Sequence, residues 1–228
     1  MSSSVVSTRK KTNMQFRILQ VLMCLLSVLL FVSCEGGGGG GIADGHDFGE
    51  NDPNLYVALG DSITEGYGLV NKDDSYTSRL SAYLGLPVAN EGKGGNTTAD
   101  AYIRVKGILR NYKPGFLLIM LGTNDLIHSW PEDFTVANLR AIIQVTKSNK
   151  TIPVIATIPP AFGHYRYLVE KAESLNNRII EMAKEEGAHI VHVYGEFEDD
   201  IALFQTDGLH PNEAGQALIA VAFIDVLK

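Results

Sequence analysis

Ser62 ends an apolar run, Val57-Ala58-Leu59-Gly60-Asp61-Ser62, where the chain breaks into small residues. Far downstream comes Asp207-Gly208-Leu209-His210-Pro211. A serine hydroxyl becomes a useful nucleophile only when a base removes its proton. Histidine is the base best matched to neutral pH, and it needs a partner on its second ring nitrogen to set the tautomer. Asp207 and His210 are three residues apart, and Gly208 between them permits a tight turn. One short loop can therefore present an Asp–His pair to Ser62. In isolation the pair suits equally a helix-capping aspartate and an exposed histidine before Pro211.

Ester hydrolysis also needs donors for the developing oxyanion, and removal of one costs roughly 10²–10³ in rate. Three are available: the backbone N–H of Ser62, the backbone N–H of Gly95, and the side-chain amide of Asn124. Gly95 belongs to Asn90-Glu91-Gly92-Lys93-Gly94-Gly95-Asn96-Thr97, and lacking a side chain it lets substrate approach its backbone. Asn124 belongs to Gly122-Thr123-Asn124-Asp125. The Gly-Lys-Ser/Thr of a P-loop is absent from the glycine-rich stretch. So is the Gly-x-Ser-x-Gly elbow of α/β-hydrolases. Asp61 beside the nucleophile is expected to hold the turn rather than join the triad.

Apolar groups on neighbouring loops suggest an acyl pocket: Leu126, Ile127 and Trp130 on one loop, Pro160 and Phe162 on another. The same residues suit plain loop packing. Of the other histidines, His189 and His192 flank an expected strand, His46 precedes the domain, and His128 and His164 fall in loops. No pair has metal-ligand spacing, so neither metal nor cofactor is expected.

The elements that must position these groups alternate between short apolar runs and longer amphipathic ones. Strands are expected at Leu55–Gly60, Val88–Asn90, Phe116–Leu121, Pro153–Ile158 and His189–Val193. Helices are expected near Tyr76–Leu84, Thr97–Asn111, Pro131–Ser148, Tyr165–Glu186 and Asn212–Leu227. Thr97 and Asp100 fit a capping box, and Pro131 a first helical turn. This alternation predicts an α/β domain, a five-stranded parallel sheet covered on both faces. Functional loops of such sheets gather at the carboxyl ends of the strands. Ser62, Gly95, Asn124 and His210 all fall there.

The hydrophobic fraction is 45% and the charged fraction 20%, which excludes a disordered chain and provides for a sizeable core. Arg9, Lys10, Lys11 and Arg17 precede or open an apolar run to Val32, followed by Ser33-Cys34. This reads as an export signal over residues 1–33. Phe31-Val32-Ser33-Cys34 resembles a bacterial lipobox, with Cys34 the lipidated first residue of the mature chain and a membrane anchor in the cell envelope. Phe31 departs from the usual leucine, and an uncleaved signal anchor is the other reading. Residues 34–53, glycine-rich and then rich in Gly, Asp and Asn, read as a flexible tether to a catalytic domain over 54–228. Four of the 19 basic and none of the 26 acidic residues precede Cys34, so the mature net charge is near −11. That balance disfavours nucleic acid as a partner.

Gly60-Asp61-Ser62, Gly95, Asn124 and His210 resemble, in order, the four blocks of the SGNH (GDSL-type) hydrolases, across Leu55 to Lys228. Gly60–Leu69 and Asp74-Ser75-Tyr76 look most like the thioesterase/lysophospholipase/arylesterase branch. The resemblance implies a three-layer α/β/α, flavodoxin-like fold and a serine esterase independent of metal. Ser62 would be the nucleophile, His210 the base and Asp207 its partner. Ser62, Gly95 and Asn124 would form the oxyanion hole. Lys93-Gly94 departs from the small or apolar residue and serine common there, adding a cation and flexibility beside the cleft. The expected substrate is a small-molecule acyl ester or an acetylated glycan. The function is thus an acyl-ester hydrolase, with a carbohydrate O-deacetylase as the alternative. A surface binding module with an idle triad is the rival from another class, disfavoured by the complete set.

Overall fold

In the computed structural model, residues 41–228 are described. The signal region 1–33, Cys34 and the glycine run to Gly40 lie outside them. Five strands form one sheet: β1 (Asp52–Gly60), β2 (Val88–Gly92), β3 (Pro114–Met120), β4 (Ile152–Ala156) and β5 (His189–Val191). The order is β2-β1-β3-β4-β5 and every pairing is parallel. β3 and β4 are buried along their whole length, as strands covered on both faces must be.

Side-chain alternation divides the core in two. Val57, Leu59, Leu117, Ile119 and Ile155 point into one cluster. There they meet Val105 and Leu109 of α2 (Thr98–Tyr112), the helix that follows α1 (Tyr76–Leu84). Leu139 and Ile143 of α3 (Glu132–Ser148) and Leu175 and Ile179 of α4 (Val169–Glu186) complete that layer. Tyr56, Ala58, Phe116, Leu118 and Val154 point the other way. They pack on Tyr76 and Leu80 of α1 and on Ile219 and Phe223 of α5 (Glu213–Leu227). The result is the expected three-layer α/β/α architecture, with faces set by the period-2 pattern of each strand.

Local signals explain the helix ends. Thr97 and Asp100 make the capping box at α2, each side chain accepting from the other's backbone N–H. Gly85 and Gly187 close α1 and α4 in the left-handed conformation. Pro131 is the cap rather than a helical residue, because its ψ of 135° is extended. Tyr165 likewise precedes its helix: Gly163–Leu168 is wound as a 3₁₀ turn before α4 begins.

The tether expected for 34–53 differs in its described part. Ile42, Ala43 and Phe48 pack against the second core cluster, and the Phe48 and Phe116 rings lie 5.9 Å apart. The Asn51 side chain donates to the Asn149 carbonyl at 2.6 Å, and Lys150 pairs with Asp47. Strand β1 begins at Asp52, whose N–H donates to the Lys113 carbonyl at 2.8 Å, so ordered structure starts ahead of residue 54. Polar composition hid two apolar anchors, each with a partner far along the chain. Phe48→Ala should therefore lower the free energy of unfolding by about 1–2 kcal/mol, the scale for a half-buried aromatic. A urea melt reads this directly, and an unchanged midpoint would return residues 41–51 to a tether.

Candidate active site

Strand β1 leads into Ser62, the expected nucleophile. After Gly60 the Asp61 side chain caps a one-turn helix, Ser62–Glu65, by accepting the Ile63 N–H at 2.9 Å. Gly66 ends that turn in the left-handed conformation. The turn packs so closely on the sheet that a side chain at Gly92 would overlap the Thr64–Glu65 backbone. The Asn90 amide ties it further, donating to the Thr64 carbonyl at 2.7 Å. Ser62 is left partly exposed at the carboxyl edge.

The loop before α5 carries His210, the expected base. The Ser62 hydroxyl and His210 Nε2 are 2.9 Å apart, and His210 Nδ1 is 2.7 Å from Asp207 Oδ2. The other oxygen of that carboxylate accepts the backbone N–H groups of Leu209 and His210 at 2.9 and 3.0 Å. One carboxylate thus closes the turn and orients the imidazole. Gly208 makes the turn feasible: its φ is +71°, and a side chain there would collide with the Phe162 carbonyl. Burial alone would raise the Asp207 pKa. The hydrogen bonds from the His210 ring and from the two backbone N–H groups prevail and hold it below the ordinary carboxylate value. Asp207 therefore stays ionised opposite the imidazole, as orientation of the base requires.

The three oxyanion candidates are joined by one side chain. Asn124, in the one-turn helix Thr123–Ile127 after β3, donates through Nδ2 to the Asn96 carbonyl at 3.0 Å. The same nitrogen lies 3.4 Å from Asp61 Oδ2. It thus contacts the neighbour of Gly95 and the neighbour of Ser62. Gly95 has φ +74°, a conformation favouring glycine. Neither its N–H nor that of Ser62 has a protein acceptor among the described residues, as donors awaiting a ligand oxygen should not. Sequence reasoning missed the brace behind them. Arg104 on α2 donates to the Asn96 side chain and to the Gly60 carbonyl, both at 2.9 Å, and pairs with Glu91 at 3.4 Å. Nothing local in the sequence distinguishes Arg104 from an exposed helical arginine.

Asp125 turns inward, fully buried, accepting from Thr98 and Thr135. It braces the starts of α2 and α3. The apolar residues expected to form one pocket do not share a face. Leu126 lies in the first core cluster with Ile127 packed against it, whereas Phe162 packs on the second cluster and on Phe204, with ring centroids 4.9 Å apart. Pro160 is buried. Trp130, half-buried, lies between His128, whose ring is tilted to it, and Phe134, which it meets edge to face. His46 packs on Phe48 and His164 on Tyr165, so the histidine bonded to Ser62 is His210.

A model of the GDSL-like lipase/acylhydrolase family matches residues 58–218. The thioesterase 1/protease 1/lysophospholipase L1 of Escherichia coli K12 is 27% identical over 177 residues, covering 72% of this chain and 78% of that protein. An arylesterase of Vibrio mimicus is 28% identical over 177 residues, covering 72% and 83%. Among solved structures, the psychrotrophic esterase EstA from a Pseudoalteromonas species superposes with a TM-score of 0.65 at 24% identity, covering 76% of this chain and 96% of that one. At that identity the likeness speaks for the fold.

Asp61 supplies a pH test of the site. It is 2% exposed, and burial pushes its pKa from 3.8 up to about 7, with the nearby Asp125 adding to the rise. Between those values the folded protein binds a proton that the unfolded chain has released. Stability from this group is therefore greatest at acid pH, falls as pH rises through the window, and is level above it. Asp61→Asn should remove that slope. The wild type's melting temperature, referred to the variant's, should decline between about pH 4 and pH 7; a constant difference would place the buried proton elsewhere.

Proposed function

This chain belongs to the GDSL-like lipase/acylhydrolase family, and from that premise we propose that it is a serine hydrolase of carboxylic esters acting through an acyl-enzyme on Ser62. The observation that carries this reading is the continuous hydrogen-bond line from Asp207 through His210 to Ser62, at 2.7 and 2.9 Å. His210 Nε2 takes the hydroxyl proton as Ser62 Oγ attacks the ester carbonyl. The oxyanion accepts from the N–H groups of Ser62 and Gly95 and from the Asn124 amide. His210 then passes its proton to the departing alcohol oxygen, leaving the acyl group on Ser62. Water, deprotonated by His210, attacks the acyl carbon, and His210 returns that proton to Ser62 Oγ as the acyl–oxygen bond breaks, freeing Ser62 and the carboxylic acid.

Asn124 has a further part in this scheme. Its amide is spent on Asn96 and Asp61 before substrate arrives, so it must turn or share a proton toward the oxyanion. Ile127 and Trp130, half-buried on one loop, are the groups on which an acyl chain would rest.

Ser62→Ala should reduce hydrolysis of p-nitrophenyl acetate by a factor on the order of 10⁶, the scale for loss of a triad nucleophile. Retention of activity in the purified variant would reject the mechanism. A series of p-nitrophenyl esters of rising chain length, run beside acetylated xylan, separates an acyl-chain hydrolase from a carbohydrate O-deacetylase.

We also read Cys34 as the lipidated anchor of an exported protein, supported by the basic residues Arg9 to Arg17, the apolar run and Ser33-Cys34. Cys34→Ala should move the protein from the membrane to the soluble fraction after cell lysis, while unchanged fractionation would reject lipidation there.

A further inference from the structure

One aromatic side chain beside the triad has no part in the steps above. Tyr67 is 55% exposed, yet its ring lies against the His210 imidazole, with centroids 4.6 Å apart and planes inclined by 41°. Its backbone is held from two sides. The Tyr67 N–H donates to the Ser62 carbonyl at 2.9 Å, and the Tyr67 carbonyl accepts from the Gln205 side chain at 2.7 Å. Gln205 in turn donates its backbone N–H to the His210 carbonyl at 2.8 Å. A side chain at Gly68 would overlap that of Gln205, so the two loops meet without a gap. The backbone that carries this exposed ring is therefore held by the two segments that bear Ser62 and His210.

The chemistry of the base says what lies next to it. His210 Nε2 hands its proton to the departing alcohol oxygen, so that oxygen comes within hydrogen-bond reach of the imidazole. The substituent on the alcohol then extends past the imidazole edge, where the Tyr67 ring faces water. Ring stacking contributes about two- to tenfold in binding beyond the apolar area covered. An aliphatic alcohol gains the area alone.

We propose that Tyr67 forms the leaving-group subsite and selects esters whose alcohol presents a flat ring face, aryl or pyranose. This rests on the assignment of Ser62 and His210 as nucleophile and base. The test is kcat/KM for acetate esters of ethanol, butanol, benzyl alcohol, phenol and methyl xyloside, in the wild type, Tyr67→Leu and Tyr67→Phe. Taking the variant-to-wild-type ratio for each ester cancels its intrinsic reactivity.

Tyr67→Leu should lower the preference for ring over chain alcohols about three- to tenfold, and Tyr67→Phe should retain it, with the pH profile of hydrolysis unmoved. Loss confined to the benzyl and phenyl esters identifies an aryl alcohol, and loss confined to the xyloside a pyranose. Equal losses on all five esters, with a displaced pH profile, would overturn the subsite and make Tyr67 a support for His210 alone. No loss on any ester would overturn it as well. If the wild type hydrolyses none of them, or Ser62→Ala keeps the activity, the serine-hydrolase reading falls and the subsite with it.

Discussion

Strand β1 lies between β2 and β3, and the parallel register sets Gly60 opposite Gly92 on one side and Met120 on the other. Three chain segments therefore leave the sheet at one level, carrying Ser62, Gly95 and Asn124. A slip of one residue would displace a loop by about 3.3 Å and turn its strand's side chains to the wrong face. The active-site hydrogen bonds tolerate nothing of that size. Arg104 and Asn124 then fasten across the level ends: one holds Gly60 and Asn96, the other Asn96 and Asp61. The placement of the candidate oxyanion donors is in this sense a by-product of strand registration, and the side chains only lock what the register sets.

Three aspartates show how environment divides one residue type among different tasks. Asp61 is buried beside the nucleophile with few donors, and its proton is retained up to about 7. Asp125, also buried, is raised by desolvation against the opposing hydrogen bonds from Thr98 and Thr135. Asp207 sits near the surface, where the His210 ring and two backbone N–H groups outweigh the burial it suffers. Only the last is held firmly as the anion that a protonating imidazole needs. The distinction follows from depth and donors, and Asp61 and Asp207 would be interchangeable in a list of composition.

Motif spacing made the Asp207–His210 pair legible because the two lie on one turn, where a carboxylate can serve the backbone and the ring together. The apolar runs made the sheet legible for a similar local reason: β3 and β4 are buried end to end. The docked segment around Ile42 and Phe48 was hidden, since its partners Phe116, Asn149 and Lys150 are remote in sequence. The separate placement of the apolar loop residues was hidden for the opposite reason. Hydrophobicity marked Leu126 and Phe162 alike, yet they pack on opposite faces of the sheet.

What the sequence determined by itself was whatever depends on neighbours a few residues apart: strand periodicity, the capping box at Thr97, the Asp207–His210 turn and the order of the four motifs. What tertiary structure alone decided was everything that depends on pairs far apart. Those are the 2.9 Å approach of His210 to Ser62 across 148 residues, the Arg104 brace, the Tyr67 ring against the imidazole and the depth of Asp61. The physical reason is that local sequence governs backbone torsions and turn hydrogen bonds, whereas desolvation and long-range contacts exist only once the chain has closed around them.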